Sequence, residues 1–541
     1  MAARWHSCCG VLRSVSSKSE ECNRNITQIF LRNSWKRNKS PVTSVISVVY
    51  YIAITILFHF SFFLIRHADG LVPCLRVFLF GGGILPKEEI FLLGNKGTLF
   101  SSRDLRLLLL PLVVEQLFTA LMGTADTMMV ARVGDAAVSG VSLVDAVNNL
   151  VLMVLTATAT GGTIVCAQYL GGHDRDGANE TARQVLLCVT VISLGCCGVC
   201  VGLRRPLLRL VFGQVDQSVM DAALTYFLVT ALSYPFLGIY DASAALYRAA
   251  GNSRLPMLVS GAGNLLNIAG NALFIFGFHM GVLGAALSTT LSRVFQCVVI
   301  LMLHRRPGQV IVLDHYRSIR PNWGLIQSVL RVGIPTGVEN GMFQLGKLMV
   351  QSTVATLATA EIAAQAVINT LEYFTSMPSM AIGLGLVTVA GQCMGAGRPQ
   401  EAKYYSIRLT LYSEALVLLT GLMIFLSVDQ VCALSGLSAP SAAIVSRMML
   451  LITVVKPFIW PLAFTLPNGM RAAGDVKFSM LVSAGSMWVF RVTLCVVLIR
   501  VLGFGVLGVW LAMFADWANR DVWYTIRFLR GRWMTKHVLD L

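Results

Sequence analysis

The sequence predicts an all-α membrane protein, with twelve transmembrane helices in two six-helix lobes related by a parallel pseudo-two-fold repeat. Three observations predict it. Of 541 residues, 55% are apolar and only 13% charged, against roughly 25% charged in soluble domains. From residue 105 onward, apolar runs long enough to cross a bilayer follow one another with short polar punctuation. Finally, short motifs from the first half return in the second half at one displacement.

A crossing needs a run of roughly 20 mostly apolar residues. Twelve are read, at 105–130, 138–168, 185–203, 223–247, 257–278, 281–303, 327–356, 362–393, 406–427, 446–468, 478–500 and 505–527. Membrane strands are shorter, about 10 residues of strict alternation, and do not fit these continuous runs.

The formal charge is +16, but its distribution excludes a nucleic-acid partner. Arginine and lysine gather in the loops after even-numbered spans: Arg175 and Arg183; Arg248 and Arg254; Arg305, Arg306, Arg317 and Arg320; Arg398 and Lys403; Arg471 and Lys477. Arg530, Arg532 and Lys536 follow the last span. The other loops hold Arg132, then Arg204, Arg205 and Arg209, and little else. Basic loops mark the cytoplasmic side, so both ends of the twelve-span core are expected there. Most of the 13 cysteines, Cys166, Cys188, Cys297 and Cys495 among them, lie in apolar runs, where cysteine behaves as a small hydrophobe. Cys197-Gly-Val-Cys200 has metal-ligand spacing but neither a second pair nor a local histidine, so packing is the better reading.

Residues 1–98 differ in style. They carry a basic stretch, Lys36-Arg37-Asn38-Lys39, then an apolar run at 43–65, and no Met occurs between Met1 and Met122. They are read as lying outside the core, either as an over-extended start or as one extra helix. The expected organisation is then a first lobe over 99–303, a cytoplasmic linker over 304–326, and a second lobe with a cytoplasmic tail over 327–541.

The repeat is legible in four motifs. Pro111-Leu-Val-Val-Glu115-Gln116 returns as Pro335-Thr-Gly-Val-Glu339-Asn340, and Ala167-Gln168-Tyr-Leu-Gly171 as Gly391-Gln392-Cys-Met-Gly395. Arg248-Ala-Ala-Gly251-Asn252 returns as Arg471-Ala-Ala-Gly474-Asp475, and Gly281-Val-Leu-Gly284 as Gly505-Val-Leu-Gly508. The displacement is 224 residues, or 223 for the arginine motif. It contains six spans, an even number, so both halves enter the membrane in the same sense. Transporters of this design place substrate between the halves and rock them to alternate access.

Each ionisable residue at the bilayer centre costs at least about 2.5–3.5 kcal/mol on insertion scales, so each asks for a reason. Glu115 and Asp126 in span 1 are eleven residues apart, close to three helical turns, and share a face; that face cannot meet lipid. Glu115 is expected nearer the cytoplasmic end, Asp126 deeper. Span 7 carries Glu339, then Lys347 two turns on, then Gln351; these are either structural, paired with each other or with a neighbouring helix, or, together with Glu115, part of a substrate or proton pathway. Asp145, Glu372, Lys456, Arg491 and Asp516 read as structural. In span 5, Asn264, Asn267 and Asn271 share one face, and span 6 offers Ser288, Thr289 and Thr290. These groups are either interhelical glue or, facing an aspartate, an oxygen-rich cation site.

No metalloprotease, nucleotide-loop, serine-hydrolase or complete dinucleotide motif occurs, so no catalytic residue and no cofactor are expected.

Ala125-Asp126-Thr127-Met-Met-Val130, Gly134-Asp135-Ala-Ala-Val, Gln168-Tyr-Leu-Gly171, Arg248-Ala-Ala-Gly251-Asn252 and Gly281-Val-Leu-Gly284-Ala-Ala-Leu-Ser-Thr289 resemble the multidrug and toxin extrusion (MATE) family, bacterial branch, over residues 99–530. The resemblance implies export of organic compounds in exchange for Na⁺ or H⁺. It also implies a cation site in the first lobe at Asp126, Asn267, Asn271 and Thr289. Where the family has Asn followed four residues later by Asp, this chain has Asn267 and Asn271, one charge fewer. Where other members place a glutamate in span 7, eight residues after its opening proline, this chain has Phe343, with Glu339 one turn earlier.

The function expected is a cation-coupled antiporter in a bacterial cytoplasmic membrane, acting as a monomer on small amphipathic cations. Among the interior charges considered, the acids (Glu115, Asp126, Asp145, Glu339, Glu372) outnumber the bases (Lys347, Lys456, Arg491), which favours cations. A lipid-linked saccharide flippase is the alternative, and would want a strongly basic cavity. A non-transporting membrane scaffold would leave the repeat and the buried carboxylates without a purpose.

Overall fold

The computed structural model describes residues 98–213, 216–306, 308–313, 320–536 and 538. The 43–65 run lies outside them, as does part of the linker.

The first half folds as α1 (Ser102–Ala131), α2 (Asp135–Gly171), α3 (Arg175–Gly202), a short α4 (Arg204–Phe212), α5 (Gln217–Leu232), α6 (Tyr234–Ala249), α7 (Arg254–Asn271, continued by a π-helical turn, Ala272–Gly277) and α8 (Gly281–His304). The second half gives α9 (Trp323–Val354), α10 (Thr359–Gly395), α11 (Pro399–Leu426), α12 (Val428–Leu434), α13 (Ala439–Phe464), α14 (Leu466–Ala472) and α15 (Val476–Ser486). α15 runs on through Val501 by way of a three-residue α16 (Leu494–Val496) between two π-helical stretches, and α17 (Gly505–Leu529) ends the bundle. Each half is six long rods, because α5–α6 and α13–α14 are each one interrupted rod. The α5–α6 break bends the chain by 48° at Tyr234-Pro235, where proline can open a helix but not continue one. No strand occurs among the described residues.

Nine of these helical rods are long and apolar enough to cross a membrane, ten with the bent pair counted as one span. The remaining two, α9 and α17, carry Glu339 and Lys347, and Asp516, Arg520 and Asp521, in place of apolar residues. The chain is a multi-pass membrane protein.

Sequence chemistry sets the ends. Ser101 and Asp104 form a reciprocal capping box that starts α1; Asn322 caps α9 and Asp174 caps α3. The repeat reaches the backbone: His173 and Gly397 are both left-handed at φ 62° and 67°, and Gly281 and Gly505 at 56° and 55°. The turn Ala272–Gly277 returns as Val497–Val501.

The two halves pack tightly at the end of the molecule that holds the basic loops. There Leu105, Leu109 and Leu112 of α1 meet Leu386, Val389 and Tyr405 of the second half. Val165, Val185 and Leu246 share a cluster with Val329, Val332 and Val387. Ile311 and Leu313 of the linker and Val538 of the tail join that same cluster. Towards the opposite end, Thr127 on α1 and Lys347 and Gln351 on α9 stay exposed. Lipid would not accept such groups, so these side chains face water.

Candidate substrate, ion and gate sites

The first lobe brings together the four residues read as a cation site. Asn271 on α7 donates its side-chain amide to the Asp126 carboxylate on α1 and to Asn267 Oδ1 at 3.2 Å, and Asn267 Nδ2 donates to Thr289 Oγ1 on α8 at 3.2 Å. Both asparagines are fully buried, and Asn271 Oδ1 has no hydrogen-bond partner. Ser288 Oγ donates to the Asn267 carbonyl at 2.7 Å and ties α8 to α7. An unfilled amide oxygen beside a carboxylate is a fit for a hard cation or a proton carrier, because buried oxygens are costly unless paired.

Beside this cluster, Asp145 bonds Asn148 at 3.3 Å, and the buried Tyr234 hydroxyl donates to Asn148 Oδ1 at 2.6 Å. Arg293 on α8 lies within electrostatic reach of Asp126 and Asp145 and donates to Ser233 Oγ at 2.7 Å. Arg293 and the neighbouring Asp241 are missing from the inventory of interior charges made from sequence. Arg293 was findable: it sits one turn beyond Thr289, inside an apolar run.

Glu115 and Glu339 take a different part. Each pairs with the arginine of its own half's repeat motif: Glu115 with Arg248 at 3.7 Å, and Glu339 with Arg471 at closer range. Glu339 therefore pairs with a neighbouring helix and not with Lys347. Glu115, expected near the helix end, is the fourteenth of 30 residues in α1, and Asp126 is the twenty-fifth; the depth order read from sequence is reversed, because α1 runs the full length of the bundle.

The contact between lobes is reciprocal. Gln168 Nε2 donates to the Ala472 carbonyl at 2.8 Å, and Gln392 Nε2 donates to the Ala249 carbonyl at 2.7 Å. These are the same bond made twice, once from each half. A Cβ on Gly171 would overlap the Gln392 carbonyl, and one on Gly395 the Gln168 carbonyl. Thr388 adds a bond to the Arg248 carbonyl at 3.1 Å. The Gln-x-x-Gly motifs were visible in the sequence, but their role as the closure of one end was not.

In the second lobe, Lys347 packs on Phe343, its ammonium 5.0 Å from the ring centre. Lys456 is buried against Glu372, Thr375 and Ser376. Asp516 holds Arg491 and Arg520 at 2.9 and 2.7 Å. Gln351 stays exposed one turn past Lys347.

The repeat and the two lobes have a match among known proteins. The family model described as MatE fits the chain twice, at residues 111–273 and 335–497, a displacement of 224. The chain belongs to the MatE family. It is 27% identical over 465 residues to "Probable multidrug resistance protein NorM" of Thermotoga maritima, covering 84% of this chain and 96% of the relative. It is 22% identical over 438 residues to multidrug and toxin extrusion protein 2 of mouse, covering 78% of this chain and 73% of that one. Among solved structures it resembles an outward-facing multidrug resistance MATE transporter with a TM-score of 0.75 at 18% identity, over 83% of this chain and all of that one. MATE structures have twelve helices in two lobes, as the sequence predicted here. The boundaries of the family matches begin at Pro111 and Pro335, the prolines that mark α1 and α9.

Proposed function

We propose that this MATE protein is an ion-coupled antiporter that exports amphipathic compounds across a cytoplasmic membrane by alternating access, with both ends of its core in the cytoplasm. The observation that carries the reading is the Asp126–Asn271–Asn267–Thr289 cluster, with its unfilled buried oxygen. Coupling needs one site that a cation or proton can enter and leave, and this one meets that need. The names of the relatives, which speak of multidrug resistance and toxin extrusion, support the direction of transport. Basic loops at the packed end support a cytoplasmic position for that end, and with it an outward-facing state. Asp126 and Asp145 in the first lobe favour a substrate with a cationic group over a pyrophosphate-linked lipid, which would want a strongly basic cavity throughout.

The test is dye efflux from inverted vesicles, with Na⁺ and pH gradients imposed separately. Export driven by either gradient, and lost in Asp126→Asn at equal membrane abundance, supports the reading. Gradient-independent movement of a lipid-linked sugar with no dye export would replace it with the flippase.

A further inference from the structure

The second lobe departs from the first at the positions that make the acidic site. The displacement of 224 sets Asn267 opposite Arg491, Asp126 opposite Val350 and Asn271 opposite Cys495. Where one half has an acid and amides, the other has an arginine. The backbone differs there as well: Met487–Thr493 is π-helical, whereas the matching stretch of the first half lies within regular α-helix, Arg254–Asn271. Such turns inside α-helices are frequent at functional sites.

Arg491 is 4% exposed. Asp516 pairs with it, but its Nη2 has no hydrogen-bond partner. Three cations share the ring of Phe343: Lys347 at 5.0 Å, Arg491 at 5.2 Å and Arg520 at 5.6 Å from its centre. With Lys456, four positive groups face two carboxylates, Glu372 and Asp516. Of the other acids of the lobe, Glu339 pairs with Arg471 and Asp475 with Arg527, while Glu414 lies beside Asp521 and not at this cluster. A surplus of buried positive charge is costly, and contact with aromatic faces repays only part of the cost. Lys347 is exposed yet within electrostatic reach of Arg491 and Glu372, so its free end opens into the lobe and not into lipid.

We propose that Lys347, Arg491 and Phe343 form an anion-accepting subsite in the second lobe, which takes the carboxylate of an amphipathic substrate. The ring of Phe343 supplies an apolar seat, Lys347 the reachable charge, and Arg491 a donor with a free valence behind it. Set against the acids of the first lobe, the subsite selects zwitterions, molecules with a cationic end and an acid end. The proposal rests on the exporter reading and narrows its substrate class.

Two dyes that differ only at the acid make the test: rhodamine 110, which has a free carboxylate, and rhodamine 123, its methyl ester. Binding is read by fluorescence anisotropy on the purified full chain in detergent, with no gradient. The wild type should bind the acid about tenfold more tightly than the ester. Lys347→Gln, an exposed position whose loss leaves the fold intact, should remove that preference, and Lys347→Arg should keep it. Equal binding of the two dyes by the wild type, or a preference that survives Lys347→Gln, overturns the subsite. A preference that follows Lys347 without ion-driven efflux overturns the exporter reading instead, and leaves the subsite standing.

Discussion

Asn271 gives its amide hydrogens to Asp126 and Asn267 and keeps its own oxygen buried with nothing to accept. Arg293 is within electrostatic reach of Asp126, and the open place in the cluster is for a donor or a cation at the Asn271 oxygen.

Asp126→Asn keeps the shape of this cluster and removes its charge. Ion-driven efflux should fall to the level of empty vesicles, with folding intact by size-exclusion profile. Asn271→Asp adds a second carboxylate and should raise the Na⁺ dependence of efflux, read as a lower half-saturating Na⁺ concentration. If Asp126→Asn transports normally while Glu339→Gln does not, coupling belongs to the second lobe.

The two motif ion pairs differ in closeness, and their loss should differ too. Glu339→Gln strands the partly buried Arg471 and should cost up to about 3 kcal/mol, the low end for a broken buried pair. Glu115→Gln, equally buried but with its partner standing off at 3.7 Å, should cost less. Thermal unfolding in detergent measures both. Adding Arg471→Gln to Glu339→Gln should recover part of the loss, as a double-mutant cycle requires of coupled residues.

Gly395→Val places a branched side chain against the Gln168 carbonyl and should hold the packed end open. In a cysteine-free background, a cysteine at Ala472 should then react several-fold faster with an impermeant thiol reagent applied from the basic-loop side. An unchanged rate would mean that this end is not the moving seal.

The linker and the tail should share a side of the membrane, since Ile311, Leu313 and Val538 pack in one cluster. Single cysteines at Val310 and Thr535 should be protected by the same impermeant reagent applied to the same face. Opposite protection would mean an odd number of crossings between them.

Much of the fold was legible because a displacement is insensitive to detail: one number, 224, fixed lobe count, orientation and the matched turns at His173 and Gly397. The first-lobe cluster was legible in part, since spacing puts Asn267 and Asn271 on one helix face, while Asp126 and Thr289 joined them through resemblance to a family. Pairing was harder to read. Glu339 meets an arginine 132 residues away, and spacing orders side chains around one helix without saying which helices face each other. The tally of interior acids over bases also failed in the second lobe, where Arg520 joins Arg491 on Asp516. No periodicity announces the π-helical stretch that carries Arg491.

The paired glutamine contacts between the lobes set an energy scale for rocking. Each is a neutral hydrogen bond to a carbonyl, with a net worth of about 0.5–1.5 kcal/mol, so the pair adds about 1–3 kcal/mol to the apolar packing of that end. A full reversal from 1:99 to 99:1 needs about 5.5 kcal/mol of differential binding. A latch of this size is therefore a bias and not a lock. A single ion or substrate that prefers one state by two orders of magnitude can release it, and because the same bond is made twice, neither half must yield first.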